Sequence, residues 1–141
     1  MKKTVKTVAF VLFALLLIAS FVSCNREKSN DLWASATYTQ NTELGNGSKT
    51  LTVEVKVLDK TVTFTIHTDK ATVGEALLEH QLIAGDEGAY GLYIKKVNGI
   101  TADYDIDQSY WLFYVNGEYA MSGVELTEIT EGAVYQLAYT K

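Results

Sequence analysis

Leu51-Thr-Val-Glu-Val-Lys-Val-Leu-Asp-Lys-Thr-Val-Thr-Phe-Thr-Ile-His67 decides the fold, because its apolar residues recur at every second position until the period changes just beyond it. Leu51, Val53, Val55 and Val57 share one face of an extended chain, and Thr52, Glu54 and Lys56 share the other, which is the pattern of a half-buried strand. After Asp59-Lys60, Val62, Phe64 and Ile66 alternate with Thr61, Thr63, Thr65 and His67, so the two runs predict a hairpin with a short turn. Thr72-Val-Gly-Glu75 then has the form of a capping box, in which each side chain satisfies an amide of the other residue. Val73, Ala76, Leu77 and His80 follow at helical spacing. The spacing predicts a helix from about Thr72 to Leu82, stopping near Gly85.

Outward from this core the strand signals continue on both sides. Ala36 to Gln40 is expected to add an edge strand, and Leu44-Gly-Asn-Gly-Ser48 has the chemistry of a loop. Asp86-Glu-Gly88 predicts a turn and Tyr90 to Val97 a strand that closes at Asn98-Gly99. In Tyr110-Trp-Leu-Phe-Tyr-Val-Asn-Gly-Glu-Tyr-Ala-Met121, Asn116-Gly117 lies between two aromatic-rich runs and predicts a type I′ hairpin, whose central residues need positive φ. The last strand is expected over Ala133 to Tyr139, after Glu131-Gly132. A hairpin, one helix and then further strands predict an α+β fold, a β-grasp-like mixed sheet with one helix. A β-sandwich with a helical insert is the competing arrangement.

The amino terminus reads as an export signal. Lys2, Lys3 and Lys6 precede an apolar run from Val8 to Val22 that is interrupted only by Ser20. It falls short of the roughly 18 to 20 apolar residues that span a bilayer. Phe21-Val-Ser-Cys24 resembles the bacterial lipoprotein box, with phenylalanine in place of the usual leucine, and Cys24 is the chain's single cysteine. That resemblance implies cleavage before Cys24 and a diacylglyceryl thioether on it, which would hold the protein to the outer face of the bacterial cell membrane. The expected organisation is a lipoprotein signal peptide over residues 1–23, a polar tether over 24–35 and one domain over 36–141.

The signal carries three of the 12 Lys and Arg and none of the 17 Asp and Glu, so what remains has a net charge of 9 minus 17, or −8. This sign argues against nucleic acid, which needs a basic face, and against docking on anionic lipid through side chains.

Catalytic chemistry is sparse. His67 and His80 are the only histidines, and neither stands at metal-ligand spacing from a cysteine or a carboxylate cluster. Asp103-Tyr-Asp-Ile-Asp107 begins like a calcium loop, but Gln108 stands where glycine is required and Tyr114 where a bidentate glutamate is required. An EF-hand is excluded, and a weaker loop cation site at Asp103, Asp105 and Asp107 stays open beside a solvated acidic turn. No triad, dyad, ligand set or cofactor motif can be assembled, and the expectation is a protein that is not an enzyme.

The aromatic residues are the more informative feature. Trp111, Phe113 and Val115 share one face of the strand, and Tyr110, Leu112 and Tyr114 share the other. If one face forms the core, the other presents rigid apolar area with hydrogen-bonding handles, the composition of a ligand patch. If both faces are covered, the rings are structural.

Gly91-Leu-Tyr-Ile-Lys-Lys-Val-Asn-Gly-Ile-Thr-Ala-Asp103, Tyr110-Trp-Leu-Phe-Tyr-Val-Asn-Gly117, Gly123-Val124 and Glu131-Gly132 resemble the C-terminal domain shared by transcobalamin and intrinsic factor and by many bacterial surface lipoproteins, of the DUF4430 type. The resemblance runs from about Leu51 to Tyr139. It implies that Trp111 and Tyr114 correspond to the aromatic pair of the binding strand, Asn98 and Gly99 to the preceding turn, and Gly123 and Val124 to the Gly-Val after the hairpin. Trp111 would be the anchor, with Tyr110, Tyr114 and Tyr119 supplying flanking contacts. The implied function is a lipid-anchored binding module that presents the Trp111 strand to a bulky, partly apolar ligand, with cobalamin or another corrinoid as the most specific candidate. The helical domain with which the vitamin carriers close over cobalamin has no counterpart in this chain, so a protein partner completing the site is a further expectation. The alternative is a structural or adhesion module that contacts a protein or the cell wall.

Overall fold

In the first hairpin, Lys49–Val57 (β2) pairs antiparallel with Lys60–Thr68 (β3), with Leu51 opposite Ile66, Val53 opposite Phe64 and Val55 opposite Val62. All six side chains are buried. The computed structural model describes residues 31–141. The signal peptide, Cys24 and the first part of the tether lie outside the described residues.

The order along the chain is Thr42–Gly45 (β1), β2, β3, Val73–Glu79 (α1), Ile83–Gly88 (β4), Gly91–Val97 (β5), Ile100–Thr101 (β6), Tyr104–Asp107 (α2), Tyr110–Val115 (β7), Glu118–Tyr119 (β8) and Val134–Thr140 (β9). Six strands form a mixed sheet in the order β1-β3-β2-β9-β7-β8, and β4-β5-β6 form a second, three-stranded sheet. The first strand of the hairpin lies parallel to the last strand of the chain, with Val53 opposite Tyr135 and Val55 opposite Leu137. This parallel centre with a helix laid across it is grasp-like, and the second sheet adds a layer in the manner of a sandwich. The fold class read from the sequence, α+β with one main helix, is what the structure shows.

The helix starts where the sequence indicates. Thr72 is the N-cap, its hydroxyl accepts from Glu75 N–H, and Glu75 accepts in return from the amides of Thr72 and Ala71. Such a cap is worth about 1 kcal/mol. Val73, Gly74, Ala76 and Leu77 are buried against the sheet. The helix ends at Glu79, short of Leu82, because Gln81 takes a left-handed backbone (φ 56°) and Leu82 N–H bonds back to Leu77 O at 2.9 Å. That turn sends Leu82 and Ile83 into the core instead of onto a further helical turn.

Several local expectations are corrected. The edge strand is β1, parallel to β3, and not Ala36 to Gln40. Asp86-Glu-Gly88 belongs to β4. The hairpin turn is Leu58-Asp59, since Val57 pairs with Lys60, which forces Leu58 to φ 55°. At the end of the expected tether, Leu32–Ser35 form a 3₁₀ turn, and the Trp33 indole donates to Val57 O at 3.2 Å and packs on the core. Among the described residues no helix is long and apolar enough to cross a membrane.

Candidate functional site

The core face of the main sheet is well covered over β2 and β3 but thins out toward β7, its last full-length strand. Trp111, Phe113 and Val115 point to that face and are only partly buried. A cleft of about 360 Å³ remains between β7, β5 and the segment after β8. Trp111 and Phe113 line it from the main sheet, Leu92, Tyr93 and Ile94 from the second sheet, and Tyr119 to Val124 from the connection. Its volume lies at the small end of ligand pockets, about 300–1,000 Å³.

Each wall has an identifiable cause. A bulge at Lys95 skips one residue of β5, with Ala84 opposite Lys96 and Gly85 opposite Ile94, so that Ile94 and Val97 both turn inward although they are three apart. The Lys95 amine reaches Asp86 at 2.8 Å, and that contact, with weaker pulls from Asp103 and Asp105, holds its pKa above the ordinary lysine value. The start of β5 is fixed by Glu125, whose carboxylate accepts Leu92 N–H at 2.9 Å. Glu125 sits on the 3₁₀ turn Val124–Leu126, and this turn presses so closely on α1 that a Cβ at Gly74 would lie 2.9 Å from Glu125 Cα.

In the cleft, the Trp111 ring meets Tyr139 edge to face, and Phe113 stacks on Tyr135 with ring planes 19° apart. Trp111 Nε1 is shut away from bulk water without a hydrogen-bond acceptor. Among the described residues His80 Nε2 is the other buried side-chain polar atom in that condition. A buried donor without a partner costs about 1–3 kcal/mol. The rim is apolar and open: Met121 is 98% exposed, Tyr119 63% and Tyr93 47%.

The residues singled out from the sequence divide into two groups. Trp111, Tyr119, Gly123 and Val124 come together around the cleft. Tyr114 does not join them, because it lies on the opposite face of the sheet, beside a second groove of about 550 Å³ that also involves Lys56 and Gln136. The two residues that the resemblance matches to one aromatic pair thus stand on different faces of β7, as alternation along the strand requires of residues three apart. Tyr110 shares the Tyr114 face and contacts Tyr104. Asn98 and Gly99 form the β5–β6 turn with φ of 51° and 79°, and Asn98 is 1% exposed with its amide bonded to both backbone groups of Tyr38. Their evident work is structural.

Tyr93, Leu92, Ile94 and Met121 line the cleft without having been singled out. The run Leu92-Tyr-Ile94 carried apolar bulk on both faces of one strand, which was the available signal. Nothing local marked Met121.

The acidic run is occupied by its own backbone. Asp103 caps α2 by accepting Asp105 N–H at 3.1 Å, and Asp107 accepts the amide and hydroxyl of Ser109. The Ser109 hydroxyl is the main reason that the Asp107 pKa lies below its ordinary value. Among the described residues no three His, Cys, Asp or Glu side chains converge as a metal site would require.

Residues 70–141 match the family model described as a domain of unknown function, DUF4430. No curated protein matches the chain. Of solved structures, a protein of Ruminococcus gnavus ATCC 29149, described as a candidate metal-binding protein, is 32% identical with a TM-score of 0.62. The match covers 67% of this chain and 98% of that one. Haptocorrin in complex with Cbi is 20% identical with a TM-score of 0.48, over 69% of this chain, which spans only 26% of haptocorrin.

Proposed function

The chain belongs to the DUF4430 family, and from that premise we propose that it is a binding module whose ligand enters the cleft between β5 and β7. The observation that carries the proposal is the Trp111 indole N–H, buried without an acceptor beside an open cleft with an apolar rim. A ligand that offers apolar bulk and a hydrogen-bond acceptor satisfies both features at once. Cobalamin or another corrinoid is the most specific candidate, on the resemblance of the Trp111 strand and Gly123-Val124 to the vitamin carriers. A corrinoid is larger than this cleft, so the chain would grip one edge of it and a partner would enclose the rest. Lipid attachment at Cys24 would place the module on the outer face of the cell membrane.

Cobalamin titrated into the protein should quench tryptophan fluorescence, with Trp33→Phe removing the second indole from the signal. The quench should persist in Trp33→Phe and disappear in Trp111→Phe, which keeps an aromatic ring but has no N–H. No spectral or calorimetric change at high micromolar cobalamin removes the corrinoid. If, in addition, iodide fails to reach Trp111, the aromatic strand is structural and the adhesion module takes its place.

A further inference from the structure

The cleft wall that follows β8 is pinned at both ends and free between them. At one end Ala120 N–H donates to Phe113 O at 3.0 Å. At the other, Gly123 O accepts Leu126 N–H at 3.1 Å and the Thr127 hydroxyl at 2.9 Å, and Val124 is buried. Between these anchors Met121, Ser122 and Gly123 are exposed, and their amides bond to no described residue. Nothing crowds the span, since a Cβ on Gly123 would meet no atom within 4 Å. Exposed backbone without internal hydrogen bonds is the part of a fold that shifts most easily. Met121 stands on this strap at the mouth of the cleft, above Trp111 and Phe113 and across from Tyr93, and its side chain is 98% exposed. An unbranched thioether bends onto surfaces of irregular shape, which is why methionine recurs where a protein must fit itself to a ligand.

We propose that Met121 is the cap of the cleft and the site at which a peroxide weakens it: the thioether folds down onto a ligand seated against Trp111, and its sulfoxide does not. The inference rests on the reading of the cleft as a binding site, and it adds apolar surface on the open side. In the modification a lone pair of the Met121 sulfur attacks one oxygen of hydrogen peroxide and the O–O bond breaks. The departing hydroxide takes the proton from the transferred oxygen and leaves as water, so sulfur loses the two electrons that peroxide gains. The S=O group is strongly polar, and covering it with an apolar ligand costs a desolvation that the thioether does not incur. A sulfoxide reductase restores the thioether. Exposure makes the empty cleft the reactive form, and a ligand under the cap shields the sulfur. The chain has one other methionine, Met1, so the chemistry reports on this position.

The probe is anilinonaphthalene sulfonate, which offers apolar rings and an anionic acceptor and reports its own binding by fluorescence. With the probe at saturation, Met121 should take up oxygen from dilute hydrogen peroxide at least about threefold more slowly than in the free protein, because reactivity follows exposure of the sulfur. Mass spectrometry of the peptide containing Met121 gives the rate, and N-acetylmethionine amide in the same tube should react at one rate with and without the probe. Fully oxidised protein and Met121→Gln should each bind the probe at least about fivefold more weakly than untreated wild type, having lost apolar contact. In Met121→Leu, which has no sulfur, the affinity should be the same before and after peroxide, and this separates Met121 from any other oxidised group. An oxidation rate indifferent to bound probe, or oxidised protein that binds like untreated protein, would overturn the proposal and leave the cleft standing. Failure of the probe and of cobalamin alike to bind removes the cleft as a binding site, and the cap with it.

Discussion

Trp111 lies across from Tyr139 on neighbouring antiparallel strands, and their rings meet edge to face with centroids 5.7 Å apart and planes at 81°. The contact fixes the indole plane while its N–H remains without an acceptor. Stability and binding should therefore separate by substitution. Trp111→Phe keeps ring contact with Tyr139 and forfeits no hydrogen bond within the protein, so it should cost about 1–2 kcal/mol. Trp111→Ala should cost about 2–4 kcal/mol, somewhat less than a fully buried ring. Urea midpoints measure both. A Trp111→Phe protein that is folded yet binds like the wild type would detach the indole N–H from recognition.

The period-2 hairpin, the capping box at Thr72 and the Asn-Gly turn could be read from the sequence because each depends on residues close together in the chain. The second sheet could not. Asp86-Glu-Gly88 has turn composition, and it becomes strand only because β5 pairs with it across a bulge. The cleft was half legible for a related reason. Trp111, Gly123 and Val124 lie in motifs, whereas the wall from Leu92 to Ile94 takes its position from Glu125, thirty-three residues away in sequence. That Trp111 and Tyr114 lie on opposite faces was legible from the alternation of the strand; which of those faces borders a cleft was not, because it depends on where β5 packs.

Asn98 tests the structural account of the β5–β6 turn. Its buried amide accepts Tyr38 N–H at 2.9 Å and donates to Tyr38 O at 2.8 Å, while its backbone holds φ 51°. Asn98→Ala strands both Tyr38 groups and places a Cβ residue with no local hydrogen bond in the left-handed region. A loss of about 2–4 kcal/mol is expected. Asn98→Gly relieves only the backbone strain and should recover part of that loss. Cobalamin affinity should be unchanged in both proteins at temperatures where they are folded; a selective loss of binding would return Asn98 to the ligand site.

Membrane attachment should depend on the Cys24 sulfur alone. Residues 31–141 carry 7 Lys and no Arg against 16 Asp and Glu, a balance that gives anionic lipid no reason to hold the folded part. Cys24→Ser should move the protein from the membrane fraction to the soluble fraction of cells. Mass spectrometry of the wild-type amino-terminal peptide should show a diacylglyceryl group on Cys24. Wild-type protein that is soluble and unmodified would remove the anchor.

Acid should weaken the fold through carboxylates that serve as local caps. Glu75 is held below its ordinary pKa chiefly by the Thr72 and Ala71 amides, Asp69 chiefly by the Ser48 amide, and Asp107 chiefly by the Ser109 hydroxyl. A carboxylate whose pKa is depressed in the folded state binds its proton more readily when unfolded. Its contribution is therefore present above the ordinary carboxylate range, near pH 4, and is lost as pH falls through the lower folded value. The urea midpoint should be level from pH 7 to about pH 5 and should fall below about pH 4. Glu75→Gln can still accept the Thr72 amide but no longer titrates, so its midpoint should start lower at neutral pH and descend less steeply in acid. An acid limb identical to that of the wild type would show that the helix cap takes no part in it.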